Sequence, residues 1–156
     1  MKLIIGIDPG MTGAVAILPE DGHAEVMELF PSADGKRVVL PPYDFDLSGP
    51  IKVWIEDINA IPTFGSQTSF KMGRALGALE TWADGLPHAS IEYVKPAKWK
   101  KAFGLILDKE STGPEKKRIS LECARRLFPG VDLHRVADHN KAEALLIAEY
   151  GRRVGG

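Results

Sequence analysis

Three acidic residues sit where the pattern calls for core. Asp8 closes the apolar run Leu3-Ile4-Ile5-Gly6-Ile7, and Glu56 closes Ile51-Lys52-Val53-Trp54-Ile55. Glu143 interrupts the stretch Ala142 to Ala148, which is otherwise apolar. A buried ionised carboxylate with no partner is costly, so it either takes up a proton or finds a cation. Any one of these acids alone could simply end an element at the surface. Three converging acids would repel one another, and a divalent ion is the simplest way to keep all three ionised. Their ligand chemistry is all oxygen, which suits Mg²⁺ or Mn²⁺. No Ser, Cys or His nucleophile with triad-like neighbours is visible.

A second group of residues could bind phosphate. Residues 95–126 hold 10 Lys+Arg against 4 Asp+Glu, whereas residues 1–94 hold 6 against 13. The whole chain has 20 Lys+Arg and 21 Asp+Glu, a net charge of −1 that hides this asymmetry. A basic segment beside an acidic body suggests a face for polyanions; the plain alternative is two solvated helices. The candidates for contact with a nucleic-acid backbone are Lys95, Lys98, Lys100, Lys101, Lys116, Lys117 and Arg118, with Gln67 and Arg74 as a second tier. Phe64 could wedge between bases, although an aromatic at such a place more often packs into a core. Trp82 and Trp99 read as core, Trp99 holding the basic helix. Gly73 and Gly77 suggest close helix packing, as at a dimer seam.

Length and composition bound the rest. The 156 residues suit one domain, 1–156, and 44% hydrophobic content is enough for a core without staples. Cys123 is the one cysteine, so no intrachain disulfide exists, and a buried small hydrophobe is its simplest role. No apolar run approaches the ~20 residues of a membrane span. A soluble protein of a reducing cytoplasm is the expectation.

The elements that must position the acids follow from periodicity. Residues 3–18 read as a hairpin turning through Pro9–Gly13, and Ala24 to Phe30 as a third strand. Residues 31–50 carry Pro31, Pro41, Pro42 and Pro50 and read as mostly loop, with room for one short element. Ile51 to Glu56 is a fourth strand, Ser66 to Ala83 a helix and Ser90 to Val94 a fifth strand. Pro96 opens a short helix, Asp108 to Pro114 is a loop, and Glu115 to Phe128 and Asn140 to Arg153 are helices. An antiparallel meander followed by β-α-β-α predicts an α/β fold: a five-stranded mixed sheet flanked by helices. If the first and fourth strands lie parallel and adjacent, Asp8 and Glu56 emerge together at their carboxyl ends, where ligand sites of such sheets lie. Small Ala142 and Ala144 would let the last helix bring in Glu143.

These residues carry a resemblance. Gly6-Ile7-Asp8-Pro9-Gly10 with Thr12-Gly13 resembles the opening motif of RuvC-type Holliday-junction resolvases, of the RNase H-like superfamily. Val53-Trp54-Ile55-Glu56 is similar to their second acid motif, and Gly65-Ser66-Gln67 with Phe70 to Gly77 to the segment after it. Val94-Lys95-Pro96 with Trp99-Lys100-Lys101 resembles the approach to their basic loop, and Asp138 to Ala148 their last acid-bearing helix. The five pieces occur in order over nearly the whole chain, closest to the short phage and prophage forms.

The resemblance implies an RNase H-like fold and a homodimer that resolves four-way DNA junctions in recombination and repair. Cleavage would be metal-dependent, by two Mg²⁺ or Mn²⁺ ions per active site, leaving 5′-phosphate and 3′-hydroxyl ends. The setting would be the cytoplasm, that of a bacterial host if the protein is phage-encoded. Asp8, Glu56 and Glu143 would be catalytic metal ligands. The family's fourth ligand lies three residues before the last acid, where this chain has Asn140. Asp138 is the favoured replacement as catalytic fourth carboxylate, and His139, which shares a helix face with Glu143 at i, i+4, is the substitute. The alternatives are another RNase H-like nuclease acting on RNA or RNA–DNA hybrid, a non-catalytic junction-binding relative, and an actin-like or sugar-kinase-like ATP-binding domain. The last needs far more chain than 156 residues.

Overall fold

The computed structural model describes residues 2–21, 23–59 and 63–155. Its strands are β1 (Leu3–Asp8), β2 (Ala14–Pro19), β3 (Glu25–Glu28), β4 (Phe30–Pro31), β5 (Val38–Val39), β6 (Ile51–Glu56) and β7 (Ala89–Val94). The helices are α1 (Ser66–Asp84), α2 (Pro96–Ala102), α3 (Gly113–Leu127) and α4 (His139–Gly155), with a 3₁₀ turn at Val136–Asp138. The main sheet runs in the order β3-β2-β1-β6-β7. The β1–β2 and β2–β3 pairs are antiparallel, whereas β1–β6 and β6–β7 are parallel. This is the five-stranded mixed sheet the periodicity predicts. The third strand is shorter than expected. The Leu29 amide donates to the Gly13 carbonyl at the next position of the same register, and from there Phe30–Pro31 pairs with Val38–Val39 in a small ribbon.

The pleat sorts the core onto two faces. Leu3, Ile5, Ile7, Val53 and Ile55 pack with Leu79, Trp82 and Ala83 of α1. Ile4, Ala14, Ala16 and Leu18 pack with Trp99 of α2 and with α3 and α4. Side chains alternate along a strand, so Asp8 shares the α4 face with Ile4 and Gly6. Glu56 falls on that same face, two residues after Trp54.

Helix α4 crosses β1 in close contact. A side chain at Gly6 would collide with the Ala144 carbonyl oxygen and the Ala148 amide. Only glycine in the strand and alanine in the helix permit that approach. Lys2 Nζ donates to the Gly155 carbonyl at one end, and Asn140 Nδ2 to the Thr12 carbonyl at the other. The helix therefore runs antiparallel to β1, and its first turns lie over Asp8. A Gly6→Ala change would push the helix away and carry Glu143 with it.

Candidate active site

Asp8 and Glu56 end adjacent parallel strands. The register pairs Ile7 with Ile55, which leaves the two acids side by side. Both are buried, each 8% exposed. Glu143 comes from the second turn of α4 and keeps part of its surface open to solvent. Burial pushes the Asp8 carboxyl well above the usual range, and the charges of Glu143 and Glu56 push it further. Burial also raises Glu56; an indole hydrogen bond opposes this, Glu143 adds to it, and Lys100 opposes it. Burial raises Glu143 against the pull of Lys100 and Lys117. The three acids named from the sequence are thus neighbours in space. What they have nearby is one another, a tryptophan N–H and two lysines.

That donor set fits a hard divalent cation. Three carboxylates held in a low-dielectric pocket, with no cation in direct ion pairing among the described residues, are stabilised most by a small ion with oxygen preference. The strongest perturbation falls on Asp8, which has both other acids as neighbours.

The two candidates for a fourth ligand part company. Asp138 is fully covered, and its carboxylate is already occupied. The Arg135 amide donates to Oδ2 at 2.9 Å, and the Arg135 guanidinium to Oδ1 at 3.0 and 2.7 Å. Lys141 Nζ lies 3.3 Å from Oδ1. Burial by itself would raise Asp138, but these donors win and hold its carboxyl at about 2. The favoured fourth carboxylate is therefore the anchor of the turn that launches α4, and its oxygens are spent on cations of the chain. His139 opens α4, four residues before Glu143. It is half-buried at the start of α4, and burial together with Lys117 lowers its pKa. Lys117 also bears on Glu143, one turn further along α4. Asn140, at the family's ligand position, ties α4 to the loop after β1.

Among the described residues, one set of three ligating side chains has donor atoms all within 4.8 Å of one another: Asp132, His134 and Asp138. Its charges are already matched. Asp138 holds Arg135 and Lys141, Asp132 bonds His134, and Asp132 and His134 are exposed. It is an ion-pair cluster closing the turn. The trio of Asp8, Glu56 and Glu143 is a looser set without such partners.

Of the basic residues, Lys100 and Lys117 bear on the acids. Lys95, Lys98 and Lys101 are exposed on and just before α2, and Lys100 is half-buried toward the carboxylates. Lys95 makes a surface pair with Asp57 at 3.5 Å. Lys116, Lys117 and Arg118 are exposed in the first turns of α3. The entry of that helix is fixed by the reciprocal Thr112–Glu115 capping bonds. Gln67 and Arg74 are exposed on α1, and Arg74 stacks 5.8 Å from the Phe70 ring centre. Phe64 is at the surface, 38% exposed, where the frequencies favoured core. Ile61 and Pro62 of its loop lie outside the described residues. Trp82, Trp99 and Cys123 are buried as expected.

Sequence reasoning missed one contact. Trp99 Nε1 donates to Glu56 Oε2 at 2.7 Å inside the protein. The partners are 43 residues apart, so no local pattern announces the bond.

A mixed five-stranded sheet with acids at the carboxyl ends of β1 and β6 and on the crossing helix defines an RNase H-like fold. Within that class the likeness is to RuvC. One solved structure, T. thermophilus RuvC in complex with Holliday junction substrate, is 19% identical with a TM-score of 0.56, over 98% of this chain and 96% of that one. A second, a Thermus thermophilus RuvC structure, matches over the same shares at 19% identity and a TM-score of 0.54. No model of a known family matches the chain. No curated protein sequence matches it either.

Proposed function

We propose that the chain is a divalent-metal-dependent endonuclease that resolves four-way DNA junctions. The observation that carries this reading is the uncompensated trio Asp8, Glu56 and Glu143, set between the basic starts of α2 and α3. Its fold likeness to a protein solved with Holliday junction DNA supports the choice of substrate.

Asp8, Glu56 and Glu143 would hold the metal, with His139 as the neighbouring fourth candidate. Bound there, Mg²⁺ or Mn²⁺, as two ions, would supply an activated water and stabilise the leaving 3′-oxygen, giving 5′-phosphate and 3′-hydroxyl ends. The protein's own groups do the positioning. Lys95, Lys98, Lys101, Lys116, Lys117 and Arg118 seat the backbone phosphates, and affinity falls with salt accordingly. Lys100 stands between those phosphates and the acids and moderates the repulsion among them. The Gly6–Ala144 contact holds the trio's third member in reach. A junction with two-fold symmetry calls for two sites. The exposed stripe of Phe70, Gly73 and Gly77 on α1 offers a seam for a second copy.

The test is cleavage of a synthetic four-way junction with and without Mg²⁺. Duplex, RNA–DNA hybrid and single-stranded RNA are run beside it, with Asp8→Asn as control. Expected are Mg²⁺-dependent symmetric nicks in the junction, none with Asp8→Asn, and junction binding retained by that variant. Cleavage by a clean Asp8→Asn preparation overturns the metal site. Preference for the hybrid overturns the substrate.

A further inference from the structure

We propose that Trp99 is a positioning residue for Glu56: its buried indole N–H fixes one carboxylate oxygen and leaves the other for the cation. The inference rests on the metal-dependent reading of the site.

The bond is not explained by the need to bury a tryptophan. The protein has three tryptophans and treats their N–H groups in three ways. Trp82 Nε1 donates to the Pro41 carbonyl at 2.8 Å. Trp54 Nε1 is buried with no acceptor, packed against Gly151 and Tyr150. The fold thus tolerates a buried indole whose N–H is unbonded. Trp99 instead gives its N–H to a carboxylate that the site has reason to keep ionised.

The indole is firmly mounted. It is fully covered and among the largest buried side chains. Pro96 at the start of α2 and the Lys95 carbonyl, which accepts from the Trp99 amide, set the helix that carries it. The Lys100 ammonium lies 5.4 Å from the ring centre. Glu56 Oε2 is held by this one donor, and Oε1 has no hydrogen-bond partner among the described residues. A free carboxylate rotates about its last torsion; one oxygen pinned by a rigid donor removes that freedom. Groups that orient metal ligands in this way typically contribute about 10–100-fold in metal affinity or activity. The same short helix carries Lys98, Lys100 and Lys101, so the phosphate-facing lysines and the orientation of Glu56 share one rigid support.

The test compares wild type with Trp99→Phe, which keeps an aromatic ring and removes the donor. Mn²⁺ affinity is measured by calorimetry on the full chain, beside the melting temperature. Expected is a loss of about 10-fold or more in Mn²⁺ affinity with a folded protein. Equal affinity in the two proteins overturns the positioning role alone. No Mn²⁺ binding by wild type overturns the nuclease reading and this inference with it. Should Trp99→Phe fail to fold, the wild-type indole N–H resonance decides. It is expected to shift as Mg²⁺ is added and to lose that response in Glu56→Gln. A resonance that stays put as Mg²⁺ saturates overturns the proposal.

Discussion

Among the described residues, two kinds of acid are wholly or partly withdrawn from solvent, and they are satisfied in opposite ways. Asp138 and Glu149 are closed by cations of the chain. Asp138 holds Arg135 and Lys141. Glu149 takes a bidentate grip from Arg152 at 2.7 and 2.7 Å and a third bond from Arg153 at 2.8 Å. For both, burial would raise the carboxyl, and the cations reverse the sign. Asp8, Glu56 and Glu143 have no such partners among the described residues, and all three are raised. A chain that twice pairs a buried acid with a cation leaves these three together with no ion pair among the described residues, and Lys100 and Lys117 oppose their rise without reversing it. Under the proposed reading, the trio is a place for a cation from solution and the paired acids are struts of the fold.

The largest expected contrast is catalytic. Glu143→Gln should lower junction cleavage by at least about 1000-fold, roughly 4 kcal/mol of transition-state stabilisation. Asp138→Asn should leave cleavage within about threefold once the protein is folded, since its oxygens face Arg135 and Lys141. A large, Mg²⁺-rescuable loss in Asp138→Asn would instead return it to the ligand set. A smaller effect concerns the basic rim. Lys117→Glu should weaken junction binding and flatten the slope of log affinity against log salt by about one. Unchanged affinity would assign Lys117 to solvent.

Stability separates the two classes with opposite signs. The folded carboxyl of Asp138, at about 2, lies below its unfolded value near 3.8. Its contribution is therefore fully present above pH ~4 and is lost as pH falls toward ~2. Asp138→Asn should cost about 1 kcal/mol at pH 7, the shift being discounted because Arg135 is half-exposed. Asp8 has the reverse sign. Its folded carboxyl is raised, so its ionisation penalty is absent below the unfolded value and grows as pH rises past it. In EDTA, Asp8→Asn should melt above wild type at pH 8, with the gap closing near pH 4. Equal melting curves at both values would contradict the uncompensated charge.

Much of this was legible in the sequence because it is local. Asp8 and Glu56 each end a six-residue strand, and period-two alternation puts them on one face once the two strands are parallel. Glu143 is visible as a charge inside an apolar helix, although only Gly6 shows how closely that helix lies. The pairing of Asp138 is also local: Arg135 and Lys141 flank it at three residues on either side, the spacing of a helical ion pair. The Trp99–Glu56 bond was not readable. It joins the start of α2 to the end of β6, and nothing in either segment specifies the other.

The most direct test of the contrast is where a cation goes. Mn²⁺ is titrated into the ¹⁵N-labelled chain at low stoichiometry and amide broadening is followed. The account predicts the strongest loss of signals flanking Asp8, Glu56 and Glu143, with weaker broadening around Asp132, His134 and Glu149. Broadening centred on Asp132, His134 and Asp138, or none near the trio, would contradict it.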